Sequence, residues 1–215
     1  MSLFITFEGP DGSGKSTQIK LVADHLRRLN YEVLCTREPG GTAIGDQIRR
    51  LVLDAKNTEM AIETEILLYS ASRAQLVQQV ILPHLSKGGV VLCDRYADSF
   101  YAYQGYGRQV AFETLQFITR YATQALRPDL TIYLDVEVEQ GLKRRMASNR
   151  EGEGEWNRLD RLDLEFHQRV EAGYRQMIEA EPDRWLVVDA SASVEAVNQV
   201  ICRRLDEVLQ RKLTG

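Results

Sequence analysis

The chain has 215 residues, 44% of them hydrophobic, which is enough to bury the core of one α/β domain. Its net charge is −4 with no long basic run, which argues against a nucleic-acid partner, and no apolar stretch is long enough to cross a bilayer. No signal peptide is visible and Cys35, Cys93 and Cys202 lack C-x-x-C spacing, so the expectation is a cytoplasmic protein with buried free thiols and neither a zinc nor a redox centre.

Leu3 to Glu8 reads as a short buried strand, and beyond it Ile19, Leu21, Val22, Leu26 and Leu29 recur at helical spacing. Between them lies Gly9-Pro10-Asp11-Gly12-Ser13-Gly14-Lys15-Ser16-Thr17, which fits G-x-x-x-x-G-K-[ST] in the strand–turn–helix setting that this phosphate-binding loop needs. Its glycines let successive N–H groups converge on phosphate oxygens, and the helix presents its positive end to the same anion. Residues 9–17 are thus expected to bind a nucleoside triphosphate, with Lys15 reaching the terminal phosphates and the Ser16 hydroxyl ligating Mg²⁺.

Tyr31 to Thr36 reads as the second strand, running into Arg37-Glu38-Pro39-Gly40-Gly41-Thr42, a rigid turn that carries an arginine where open α/β sheets bind ligands. A short amphipathic helix follows from Ile44 to Leu53. The longest helical pattern runs from Ile62 to about Ser86, and Pro83 is expected to kink or loosen its end. Arg73 is the odd member of its inward face, four residues after Tyr69. The pair could grip a planar ligand, or Arg73 could reach solvent or pair with a structural carboxylate.

Gly89 to Cys93 is an apolar strand ending in Asp94-Arg95-Tyr96, an arrangement in which the Asp94 carboxylate would contact magnesium. Ala97 to Arg108 holds two glycines and three tyrosines with Ser99, Gln104 and Arg108, and reads as a ligand-facing loop rather than a core helix. Phe112 to Leu126 reads as a helix, Leu130 to Asp135 as the fourth strand, and Val138 to Met146 as another helix. The glutamate- and glycine-rich segment at about 147–158 breaks the rhythm. With Arg144, Arg145, Arg158 and Arg161 around it, it suits a mobile lid over a triphosphate. A long helix from Leu159 to about Ala180, a fifth strand Trp185 to Asp189 and a closing helix Ser193 to Leu213 complete one domain, 1–215. Strands alternating with helices imply a five-stranded parallel sheet covered on both faces.

Thr36-Arg37-Glu38-Pro39-Gly40-Gly41-Thr42, Asp94-Arg95-Tyr96 and Ala102-Tyr103-Gln104-Gly105 with Gly107-Arg108 together resemble the thymidylate kinase family of the bacterial type, and the resemblance runs end to end. It implies a P-loop nucleoside-monophosphate-kinase fold, transfer of a phosphoryl group from ATP to dTMP with Mg²⁺, and a homodimer. It also implies that Tyr69 stacks on thymine, that Arg73 hydrogen-bonds the base, and that Arg37 and Arg95 hold the acceptor's phosphate. Asp11 matches the carboxylate near the sugar 3′-hydroxyl; Ser99 falls in the acceptor set; Tyr103 crowds the 2′ position and Gln104 approaches the base. The catalytic set so implied is Lys15, Asp11, Arg95, Arg158 and Arg150.

The chain departs from the pattern at two places. Gly12 stands where another branch carries a catalytic arginine, so the missing cation is expected from the lid, where Asn157-Arg158-Leu159-Asp160 matches. Phe100 stands where Ser, Thr or Asn is common, which removes one base-reading hydrogen bond. Two rivals remain at this level. One is a kinase for another or broader set of nucleoside monophosphates. The other is a nucleotide-gated switch, which would want a base-reading N-K-x-D motif that the sequence lacks.

Overall fold

The computed structural model describes residues 2–137, 140, 141, 144 and 164–214. Five strands form one parallel sheet in the order β2-β3-β1-β4-β5: β1 Leu3–Glu8, β2 Val33–Arg37, β3 Val90–Asp94, β4 Leu130–Asp135 and β5 Trp185–Asp189. Parallel strands buried on both faces read as continuous apolar runs, and β1, β3 and β4 do. Successive residues of β1 go to opposite faces. Leu3, Ile5 and Phe7 pack under α1 (Lys15–Arg28) and the closing helix Val194–Thr214, through Ile19, Val22, Leu26, Ile201 and Leu205. Phe4 faces the other way, against Leu76, Val77, Ile81 and Tyr96. No helix among the described residues is long and apolar enough to cross a membrane.

The register sets what meets at the carboxyl edge. Phe7 and Arg37 both pair with Asp94, and Glu8 pairs with Tyr133, so the ends of β2, β3 and β1 lie side by side. β1 leads into the glycine loop, and the chain leaves β1 for one side of the sheet before crossing to the other. That reversal opens a crevice above β1 and β3.

The long helix expected to loosen near Pro83 is three pieces: α3 Ile62–Leu76, a wide π-type turn Val77–Ile81, and α4 Leu82–Ser86. Pro83 has no N–H for Gln79 and its ring crowds that carbonyl. The chain opens instead into an i→i+5 pattern, seen in the Leu82 N–H bonded to Val77 O. α2 is Ala43–Leu53, capped by Thr42, whose hydroxyl accepts from the Gly45 N–H.

The loop expected over 97–108 is helical. α5 (Ala97–Phe100) continues without a break into a π-helix, Tyr101–Gly107, and Tyr103, Gln104, Gly105 and Gly107 are buried. The glycines serve close packing, not loop freedom. A methyl on Gly107 would lie 2.6 Å from Phe166 Cε2, and one on Gly173 would strike the Tyr106 ring. Phe166 and Gly173 belong to α7 (Leu164–Ala180), which thereby lies flush on the π-helix; α6 is Phe112–Thr123 and α8 is Val194–Thr214. Three described residues, 140, 141 and 144, are helical within the stretch read as a helix. The expected lid at about 147–158, and the first residues of the helix expected from Leu159, lie outside the described residues.

Gly107→Ala therefore forces a side chain into a filled seam and should lower stability by about 1–3 kcal/mol. Thermal unfolding of wild type and variant measures this, and an unchanged Tm would refute the flush packing.

Candidate active site

β1 ends at Glu8 and the chain turns through Gly9, Gly12 and Gly14, at φ of 131°, 78° and 94°. Only glycine reaches these left-handed values at little strain, and a Cβ on Gly9 would sit 2.6 Å from Leu134 O. Gly14 is also the N-cap of α1 and offers no side-chain acceptor, so the first amides of α1 stay open to an anion. Lys15 Nζ folds back onto the loop, donating to Gly9 O at 3.0 Å and Pro10 O at 2.8 Å. Burial, and then the repulsion of Arg95, bring its ammonium down to about 8.

Ser16 Oγ donates to Asp94 Oδ2 at 3.2 Å. Asp94 Oδ1 is buried and takes no hydrogen bond from the described residues. A hydroxyl and a carboxylate with an unpartnered oxygen suit a hard cation such as Mg²⁺, so Ser16 and Asp94 fit that ion. Among the described residues no group of three or more His, Cys, Asp or Glu is placed to hold a metal.

Above these residues lies a cleft of ≈ 490 Å³. Asp11, Gly12, Gly14, Lys15, Ser16, Thr17, Arg37, Tyr69, Arg73, Asp94, Arg95, Ser99, Tyr103 and Gln104 all line it, so it unites nearly the whole expected set. Gly9, Pro10 and Ser13 shape the loop from behind. Arg150 and Arg158 lie outside the described residues. Arg144 is described, on the cleft wall, with Nη1 donating to Ala190 O at 3.2 Å.

Arg95 sits at the junction of the two halves. Its Nη2 donates to Asp11 Oδ1 at 2.8 Å and to Tyr103 OH at 3.4 Å, and its Nη1 to Ser99 Oγ at 2.9 Å. Its guanidinium also lies 5.2 Å from the Tyr103 ring centroid. Its backbone is left-handed, φ 66°, an uncommon state for a non-glycine residue. Behind it is Glu8, which in the sequence is no more than the end of a strand. Glu8 is fully buried and accepts from Tyr96 N at 2.9 Å, from Tyr174 OH at 2.8 Å and from the Ser99 hydroxyl. Burial, with Asp98 adding to it, pushes its carboxyl up to about 7 against the pull of Arg95, Ser99 and Tyr174.

The far end of the cleft is walled by Tyr69, Arg73, Phe100 and Gln104. Of the alternatives that its spacing left open, Arg73 takes the pairing with a buried carboxylate and does not reach solvent. Its Nε is tied to Glu38 Oε2 at 2.7 Å, while its buried Nη1 finds no acceptor among the described residues. The guanidinium lies 4.7 Å from the Phe100 ring centroid, so Phe100 is the platform beneath Arg73. Burial pushes the Glu38 carboxyl up to about 7, with Arg73 pulling the other way. Gln104 gives its amide Nε2 to Glu65 Oε1 at 2.9 Å, and Arg108 Nη2 donates to Glu65 Oε2 at 3.2 Å. Arg37 stands on the rim, about half exposed, 3.3 Å from Asp46 Oδ1. Sequence reasoning does not find Glu38 or Glu65 either. Glu38 sits in a polar turn and Glu65 two residues from Glu63 at the start of α3, and neither position marks a charge as buried.

A sequence model of the thymidylate kinase family matches residues 7–201. The thymidylate kinase of Roseiflexus castenholzii is 56% identical, the match covering 97% of this chain and 95% of that protein. The thymidylate kinase of Pelobacter propionicus is 46% identical, over 100% of this chain and 97% of that protein. Among solved structures, thymidylate kinase from Ehrlichia chaffeensis superposes with a TM-score of 0.77 at 30% identity, covering 95% of this chain and 98% of that one.

An arriving polyanion favours the charged form of Lys15 and raises its value from about 8. At pH 8 nucleotide binding should therefore draw about half a proton onto Lys15. Calorimetry in buffers of different ionisation enthalpy measures this uptake, which Lys15→Met should abolish. Binding heats independent of buffer would refute the lowered value.

Proposed function

The chain belongs to the thymidylate kinase family, whose reaction is the phosphorylation of dTMP, and from that premise we propose how its cleft carries the reaction out with ATP and Mg²⁺. The observation that supports this reading most is the meeting, in one cleft, of a phosphate-binding loop and an acceptor pocket, with Arg95 touching both. The loop amides and Lys15 hold the β- and γ-phosphates of ATP. Bound at Ser16 and Asp94, Mg²⁺ would neutralise charge on those phosphates. Arg95 and Arg37 hold the acceptor's phosphate, and Asp11 fixes Arg95 and the sugar's 3′ side. The attacking phosphate oxygen is already ionised, so no general base is required. What the protein supplies is alignment and positive charge. Gly12 gives no cation, and Arg158, with Arg150, is assigned to supply it.

The base end has the polarity of a thymine edge. Glu65 is an acceptor only, so Gln104 must turn its N–H groups toward it and leave its carbonyl for the base. That carbonyl suits the N3–H of thymine, and the unpartnered Arg73 Nη1 suits the neighbouring O4. Cytosine offers the opposite polarity at both atoms. Gln104 thus replaces the hydrogen bond that Phe100 cannot make, and Tyr69 supplies the stacking face.

A homodimer is also proposed. Leu67 on α3 and Phe117 and Tyr121 on α6 are 59%, 74% and 86% exposed, on two helices that pack together. Apolar side chains gathered in this way mark a face that another protein surface covers.

In a coupled ADP-release assay, turnover should occur with dTMP, depend on Mg²⁺, and be poor with dCMP. Lys15→Ala should lower kcat at least ~100-fold, as loss of a charge aimed at the transferred group does. Arg73→Ala should raise KM for dTMP by the equivalent of about 1.5–3 kcal/mol while leaving KM for ATP alone. Equal effects on both constants would make Arg73 structural. Separately, Phe117→Glu combined with Tyr121→Glu should give a monomer in sedimentation, and an intact dimer would place the interface elsewhere.

A further inference from the structure

The side chain of Glu8 does not line the cleft, yet three hydrogen bonds converge on it just behind the cleft wall. Its two oxygens do different things. Oε1 accepts the backbone N–H of Tyr96 at 2.9 Å, the peptide that immediately follows Arg95. On the other side of Arg95, its own N–H is bonded to Phe7 O at 3.0 Å. β1 therefore clamps the left-handed Arg95 from both sides, once with backbone and once with the Glu8 side chain. A non-glycine residue holds that conformation only where its surroundings enforce it.

Oε2 governs the side chain of Arg95. It takes the Ser99 hydroxyl proton and, at 2.8 Å, that of Tyr174 from α7. Ser99 has only one proton to give. Its oxygen also lies 2.9 Å from the Tyr174 hydroxyl oxygen; with both hydroxyl protons drawn to the Glu8 carboxylate, the Ser99 oxygen is left to accept, and Arg95 Nη1 donates to it at 2.9 Å. Polarity thus runs one way, from guanidinium to hydroxyl to carboxylate. The other end of the same guanidinium is held by Asp11 of the phosphate loop, at 2.8 Å.

We propose that Glu8 is a positioning residue for phosphoryl transfer, its carboxylate fixing both the backbone turn and the side-chain direction of Arg95. The inference rests on the dTMP kinase reading of the cleft, and on Arg95 touching the acceptor's phosphate within it. The charged and titratable groups that face Glu8 are Arg95 and Asp98 after β3, Tyr174 on α7, and Lys15 and Glu38 at greater distance. Of these, Arg95 and Tyr174 both meet the Ser99 hydroxyl, Arg95 from the cleft and Tyr174 from behind, where it also donates to Glu8.

A glutamine at position 8 cannot reproduce this. With its carbonyl on the Tyr96 N–H, its N–H₂ faces the Ser99 and Tyr174 hydroxyls, which must accept from it and turn their own protons away, so the one-way pull from guanidinium to hydroxyl to carboxylate is gone. With the amide reversed, the Tyr96 N–H loses its acceptor. Steady-state kinetics with dTMP and ATP on four proteins tests the idea: wild type, Glu8→Gln, Arg95→Ala and the double variant. Wild-type turnover of dTMP is the control for the underlying reading, and its absence would overturn that reading and this inference together. Given turnover, Glu8→Gln should lower kcat/KM for dTMP at least ~10-fold, with KM for ATP within about twofold of wild type. In the Arg95→Ala background the same change should cost no further activity, since its route of action is gone. An unchanged kcat/KM for Glu8→Gln, or an equal fall in both backgrounds, would overturn the proposal while leaving the kinase reading in place. Should Glu8→Gln fail to fold, Glu8→Asp withdraws the carboxylate from Ser99 while keeping its charge, and the same two comparisons decide.

Discussion

The cleft depends on the pairing of β1 with β3. Because Phe7 lies opposite Asp94, the end of β1 and the loop beyond it come level with the end of β3. The phosphate loop grows from β1 and Arg95 grows from β3, so this register alone sets Lys15 and Ser16 beside Asp94 and Asp11 beside Arg95. A slip by one residue would turn every strand side chain to the opposite face. The alternation of Phe4 against Leu3, Ile5 and Phe7 across two different cores forbids it. The apolar burial that holds the sheet together is thus also what aligns the two halves of the site.

On that platform the cleft's arginines are aimed by carboxylates set behind them. Glu38 lies behind Arg73, Glu65 behind Gln104 and Arg108, and Glu8 behind Ser99 and Arg95. Burying such charges is unfavourable, which is why Glu8 and Glu38 sit near 7, and pairing offsets only part of the penalty. Breaking a buried pair by removing one partner typically costs about 3–5 kcal/mol, so each carboxylate allows its arginine few alternatives. The pairs do little for net stability but fix direction. A fourth anchor of this type, Arg184 bidentate to Asp98 at 2.6 and 2.9 Å, holds the start of α5 against Thr131 of β4.

The phosphate loop, the five strands and the turn at Arg37 were legible because each carries a local pattern: glycines at fixed offsets, or apolar runs of strand length. Pro83 gave its position away through the missing N–H. Residues 97–108 misled, because their glycines and tyrosines have the composition of a loop. Only the packing of Phe166 and Tyr106 into Gly107 and Gly173 reveals them as a helix seam, and such contacts span some 60 residues of sequence that no local window joins. Glu8, Glu38 and Glu65 were invisible for a related reason. A carboxylate acquires its meaning from partners 35 to 166 residues away, as in Glu38–Arg73 and Glu8–Tyr174, and spacing along the chain does not report them.

The π-helix Tyr101–Gly107 carries Tyr103 and Gln104 into the cleft. A π turn holds one residue more than the α turn it interrupts. Taking that residue out would restore ordinary helix while swinging the residues beyond it by roughly 100° about the axis. The helix itself would survive such a deletion, but Gln104 and Arg108 could not both keep Glu65. The same rotation would turn Gly107 away from Phe166, so the length of this segment is held from two sides, by the acceptor pocket and by the seam with α7.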